Sequence, residues 1–174
     1  MKRITLLFIL MSFFGASAFA QKIVGFGGEL SILSLKTNYR IWFSKTTGFE
    51  VFGGIASELN DFNPNDAEAG FKFLHAIMYE RTERTYIGVV GKWKWVNIND
   101  SNQSTSLPIP GILIGKEWYS KRIHRKAFAV ELGYQIGIKE HTIYSPSNHE
   151  PIGKDRFEEF PLILNLRYTF DHNK

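Results

Sequence analysis

Phe128-Ala129-Val130-Glu131-Leu132-Gly133-Tyr134-Gln135-Ile136-Gly137-Ile138 is the stretch that decides the fold. Its even positions are large and apolar, and its odd positions are small, polar or charged. Side chains alternate across a β-strand, so a period of two this strict gives one apolar face and one crowded or wet face. A second stretch near the C-terminus repeats the pattern. There Phe160, Leu162, Leu164, Leu166, Tyr168 and Phe170 alternate with Pro161, Ile163, Asn165, Arg167 and Thr169.

The other end of the chain is of a different kind. Lys2-Arg3 is followed by an uncharged, mostly apolar run from Ile4 to Ala16, and Ala18-Phe19-Ala20 before Gln21 has the small-x-small form of a cleavage site. These features predict a cleaved secretory signal peptide over residues 1–20 and a mature domain over 21–174. About 13 apolar residues are too few for a membrane-spanning helix, which takes about 20. The chain has no cysteine, which excludes a lipid-anchored N-terminus and a disulfide framework. Cleavage would remove Lys2, Arg3 and no acid, lowering the formal charge from +4 to +2 and leaving no basis for a nucleic-acid partner.

The mature chain shows no convincing helical period. Alternating segments recur instead, and eight are expected: 22–33, 36–44, 48–59, 71–81, 85–96, 107–119, 127–143 and 160–170. Most reach the 9–11 residues of a tilted membrane strand. Connections at 45–47, 82–84 and 120–126 are short, whereas 60–70, 97–106 and 144–159 are long and polar, as the two ends of an outer-membrane barrel require. The first two segments are separated only by Ser34-Leu35, so one bent strand is an alternative to two. The fold expected is an all-β, antiparallel up-and-down transmembrane β-barrel of about eight strands. Closure pairs every backbone group and so permits a chain without disulfides to be stable in lipid.

Facing follows from parity. Glu29, Arg40, Glu50, Glu58, Lys92, Lys94, Glu131, Gln135, Lys139, Asn165 and Arg167 share the polar parity, interleaved with glycines such as Gly133 and Gly137. Eight strands leave an interior that side chains fill, so these residues are expected to form a paired polar network in the lumen. On the apolar parity, Phe43, Tyr79, Trp118, Tyr168 and Phe170 fall at one end of their strands and Trp93 and Trp95 toward the other, as aromatic belts do at lipid boundaries. Lys116 sits on the apolar parity with Ile112, Ile114 and Trp118, which calls for either a snorkelling side chain or a bulge near Gly115.

Asn38-Tyr39-Arg40-Ile41-Trp42-Phe43-Ser44, followed by Gly48-Phe49-Glu50, resembles a segment of small outer-membrane β-barrel domain proteins of the OmpA/OmpX-like group. So do Ile109-Pro110, Gly115-Lys116-Glu117-Trp118 and the closing Leu166-Arg167-Tyr168-Thr169-Phe170. The resemblance implies a monomeric barrel in the outer membrane of a Gram-negative-type bacterium, among outer-membrane lipids. It also implies recognition of the C-terminal strand by the barrel-assembly machinery. This chain departs from the pattern in continuing past Phe170 with Asp171-His172-Asn173-Lys174.

No catalytic, cofactor or metal site is expected. Gly25-Phe26-Gly27-Gly28 completes no phosphate-binding motif and has no helix after it. His75, His124, His141, His149 and His172 are scattered, with no pair at ligand spacing. A lipid-modifying enzyme would need a His/Ser centre, and His141 and Ser145 straddle a strand end. Lys121-Arg122-Ile123-His124-Arg125-Lys126 reads as a solvated turn before it reads as a site for anionic lipid or polymer. The first functional reading is therefore a non-enzymatic outer-membrane barrel with a filled lumen. Its role is structural or adhesive, through long outer loops whose external partner the residues do not name. The second is a soluble periplasmic, lipocalin-like barrel binding an apolar ligand, which requires the apolar parity to face inward.

Overall fold

In a computed structural model of the chain, residues 23–32, 34–56, 66–98, 103–120, 126–144 and 151–171 are described. They form ten β-strands and, among the described residues, no helix. Eight strands close into one barrel: β1 (Ile23–Ser31), β2 (Ser34–Trp42), β3 (Thr47–Ala56), β4 (Asp66–Tyr79), β5 (Glu83–Ile98), β6 (Gln103–Tyr119), β7 (Lys126–Gln135) and β10 (Leu162–Asp171). Each pairs antiparallel with the next, and β10 returns to β1, where Phe26 faces Phe170. The architecture is an up-and-down barrel with no free edge in its wall.

The β2–β3, β4–β5 and β6–β7 connections lie at one end, here the turn end; the β3–β4 and β5–β6 connections and the segment between β7 and β10 lie at the other, the loop end, together with the tight β1–β2 connection. At the turn end, Ser44 closes the β2–β3 connection. Its Oγ accepts from the backbone of Thr46 at 3.1 Å and of Thr47 at 2.9 Å, the local bonding that favours serine in turns. β1 and β2 are two strands rather than one bent strand, with Leu30 opposite Leu35 across a tight connection.

The structure corrects the expected boundaries of three segments. β4 starts earlier than expected, at Asp66, because polar Asp66 and Glu68 face inward and belong to the wall; β6 starts earlier too, at Gln103, where it pairs with Ile98 of β5. The segment expected as one strand over 127–143 is broken at Ile136-Gly137. Its second half is β8 (Ile138–Tyr144), which pairs with β9 (Pro151–Glu158) in a separate hairpin, where a loop over 144–159 was expected. Lys139 therefore belongs to this hairpin and not to the barrel wall.

The break has a cause on the neighbouring strand. In an antiparallel ladder the N–H and C=O of one residue address the same partner. Pro110 accepts from the Ile136 N–H at 3.0 Å but has no N–H to return, and Pro108, two residues on, repeats the defect. The β6–β7 ladder accordingly ends at Gly111 opposite Gln135. Lys116 needs no bulge: the β5–β6 register is continuous from Gln103 to Trp118. It points outward near the turn end, paired with Glu83 at 3.0 Å and lying 5.6 Å from the Trp118 ring centre. The ladder slips instead in β4, between Ala76 and Met78, which leaves Ile77 and Met78 both exposed.

Candidate functional site

The lumen is built around one carboxylate. Glu131, on β7 and fully buried, accepts at one oxygen from Arg40 (2.7 Å), Tyr86 (2.8 Å) and Arg167 (3.2 Å), and at the other from Lys72 (2.6 Å) and Asn165 (3.1 Å). These donors come from β2, β5, β10 and β4, so the hub crosses the barrel and ties its walls together. Glu50 on β3 is shared by Arg40 at 2.5 Å, Arg167 at 2.8 Å and Lys72 at 2.8 Å. A buried carboxylate is tolerable only with partners that replace its lost water, and each of these two has several.

Toward the loop end the chain of pairs continues. Lys36 joins Glu29 (2.9 Å) to Glu68 (3.1 Å), and Lys92 joins Glu68 (3.2 Å) to Glu159 (2.9 Å). Toward the turn end the filling becomes aromatic. Arg167 reaches Glu117 at 2.5 Å, and the Tyr119 hydroxyl donates to Glu117 at 2.5 Å. The Arg84 guanidinium lies 3.8 Å from the Trp42 ring centre and 4.8 Å from that of Tyr79, a cation–π arrangement that closes this mouth. Gly115 permits it: a Cβ there would meet the ring of Tyr86, which packs edge-on against Trp42.

The wall reverses character outside. Phe26, Leu30, Tyr39, Phe73, Ile87, Val89, Ile112, Ile114, Leu132, Leu162, Leu164 and Leu166 are exposed. Phe49, Phe71, Phe73 and Trp93 form a cluster of ring contacts at 4.9 to 6.3 Å across three strands. An uncovered apolar surface encircling a protein is costly in water, where even the largest exposed patch seldom exceeds about 600 Å². The charged parity faces inward and the apolar parity outward, which is the reverse of what a lipocalin-like barrel with an apolar interior requires.

Of the residues expected in the lumen, Glu29, Arg40, Glu50, Lys92, Lys94, Glu131, Gln135, Asn165 and Arg167 are buried inside the barrel. Glu58 lies outside the described residues, as do the basic run 121–125 and the segment 1–22. Tyr79, Trp118, Tyr168 and Phe170 are exposed near the turn end and Trp93 and Trp95 toward the loop end, while Phe43 sits half-buried just past β2. Sequence reasoning missed Lys72, Lys36, Glu68, Arg84 and Glu117. Parity alone would have found Lys72, between outward Phe71 and Phe73, and Glu117, next to Trp118.

What this arrangement can do is limited. Among the described residues the lumen holds seven bases (Lys36, Arg40, Lys72, Arg84, Lys92, Lys94, Arg167) and seven acids (Glu29, Glu50, Asp66, Glu68, Glu117, Glu131, Glu159), which balance in formal charge. Its cavities near Tyr119 and near Glu159 measure about 20 and 10 Å³, space for a water at most. Glu29, Glu50 and Glu131 come close enough to suggest a cation site, but the Lys72 ammonium already lies 2.5 to 2.8 Å from all three. The carboxylates have their cation built in.

The barrel is similar to the N-terminal β-barrel domain of Pseudomonas aeruginosa OprF, with a TM-score of 0.56 and 12% identity, over 86% of this chain and 96% of that one. At that identity the likeness speaks to the fold alone. No protein-family model matches the sequence, and no curated protein matches it.

Proposed function

We propose that the protein is a non-enzymatic outer-membrane β-barrel with a closed lumen, exported by a signal peptide over residues 1–20. Its role is structural or adhesive, carried at the loop end by the β8–β9 hairpin and the connections 57–65 and 99–102. The observation that carries this reading is the facing of the wall: a predominantly apolar outer surface around an interior of paired charges. Lipid is the solvent in which that surface costs nothing. The resemblance of the Asn38–Glu50 segment to the OmpA/OmpX-like group and the likeness to the OprF barrel support the same reading. Trp118, Tyr168 and Phe170 at one end and Trp93 and Trp95 at the other serve as the two aromatic boundaries.

A closed lumen makes a definite statement about transport. Purified protein in planar bilayers should show no large, steady conductance, because Arg40, Lys72, Glu131 and Arg167 interlock across the bore. Stable porin-sized currents from single molecules would refute the filled interior.

A further inference from the structure

The turn-end half of the lumen holds donors that no protein acceptor reaches. Trp42 is 1% exposed and Arg40 2% exposed. Trp42 Nε1 and Arg40 Nη1 are both buried, and among the described residues neither has a hydrogen-bond partner. A buried N–H left unbonded is costly, and in folded proteins such groups are nearly always bonded to protein or to ordered water. The other nitrogens of Arg40 are committed: Nε donates to Glu50 at 2.5 Å and Nη2 to Glu131 at 2.7 Å. Nη1 lies 3.7 Å from Glu117 Oε1, too far for a direct bond. That is a separation at which a water bridges two polar groups.

The same residues enclose the space for it. Arg40, Trp42 and Glu117 line one cavity of about 20 Å³, together with the side chains of Tyr119, Ala127 and Thr169. A water needs about 10–15 Å³ and two to four polar partners, and both conditions are met here. The lining also selects among occupants. Glu117 Oε1 accepts from Arg167 and Oε2 from the Tyr119 hydroxyl, each at 2.5 Å, and each oxygen keeps a further lone pair. The Glu117 carboxylate disfavours an anion, and the guanidinium groups of Arg40 and Arg167 disfavour a cation. Water can accept on one side and donate on the other. Arg84, which stacks on the Trp42 ring, does not line this cavity.

We infer that this cavity is a binding site for one ordered water, which accepts from Trp42 Nε1 and Arg40 Nη1 and donates to Glu117. The water joins β2 to β6 where the direct pairs of the hub leave off. Closure of the turn-end mouth is then a hydrated junction and not a dry aromatic seal. The inference rests on the geometry of the cavity and holds whether or not the barrel resides in a membrane.

The test is proton NMR of the full chain folded in detergent micelles, with the Trp42 indole N–H assigned by its loss in Trp42→Phe. The expected result is a nuclear Overhauser cross-peak between that proton and water, with the sign of a long-lived contact. Tyr119→Phe and Thr169→Val remove the hydroxyls that would relay such a peak, and it should survive both. Ala127→Val fills the cavity from β7 and should abolish it. Filling a dry void raises the urea midpoint of unfolding, whereas expelling a bonded water lowers it, and the lower midpoint is expected. Heat-dependent gel migration checks that each variant is folded, and the unaltered chain decides the matter alone if Ala127→Val is not. Absence of the peak in the unaltered chain, or its loss with either hydroxyl, would overturn the inference. So would its persistence in Ala127→Val, or an equal or higher midpoint in that variant.

Discussion

Neighbouring residues on β10 live in opposite worlds. Arg167 is fully buried and bound to Glu50, Glu117 and Glu131, whereas Leu166 and Tyr168 on either side are 43% and 40% exposed. The inner face is held by specific partners, so its failures should follow loss of a partner. The outer face has no partners among the described strands beyond its own neighbours, so its failures should follow depth and polarity alone. The two surfaces, one residue step apart, obey different rules.

The sharpest break should come from the inner face. Lys72→Met leaves Glu29, Glu50 and Glu131 facing one another without their shared ammonium. Uncompensated buried charge of this kind costs about 3–5 kcal/mol. Equilibrium unfolding in lipid vesicles should show that loss or a barrel that fails to fold. Little change would mean the network is held by Arg40 and Arg167 alone.

The outer face responds next. Leu164 and Leu132 lie opposite each other on β10 and β7, both exposed. Arginine at either position should destabilise the inserted barrel by about 2–4 kcal/mol, the penalty for a charge on the lipid face near mid-depth. Tolerance of both Leu132→Arg and Leu164→Arg would show that this surface does not meet lipid.

How much of this contrast was legible in the sequence depends on where the deciding residue sits. β7 and β10 announce themselves because both faces are written within one strand: Glu131 beside Leu132, Arg167 beside Leu166. The β7–β8 break was not legible, because Ile136 and Ile138 continue the alternation while the interruption is dictated by Pro108 and Pro110, on β6. Glu68 was missed because Asp66-Ala67-Glu68-Ala69-Gly70 has low strand propensity and reads as loop. The partners of Lys72 come from β1, β3 and β7, a meeting that only closure of the barrel creates. The pairing of Glu159 with Lys92 depends likewise on a hairpin that no local pattern disclosed.

Two smaller effects sharpen the comparison. A Cβ at Gly133 would collide with the Ile112 carbonyl and the Leu113 backbone on β6, so Gly133→Leu should strain the β6–β7 wall and cost at least about 1–3 kcal/mol, seen as a lower unfolding midpoint. Lys116→Ala removes an exposed pair with Glu83, and partly solvated pairs of this kind are worth about 0–1 kcal/mol. An effect at Lys116 as large as that at Lys72 would erase the distinction between the two faces.

The central claim is that the apolar outer surface is solvated by lipid, and cell fractionation tests it most directly. The account predicts recovery of the mature chain, beginning near Gln21, with outer membranes, and retention there through high-salt and carbonate washes. Recovery in the soluble periplasmic fraction without detergent would contradict it.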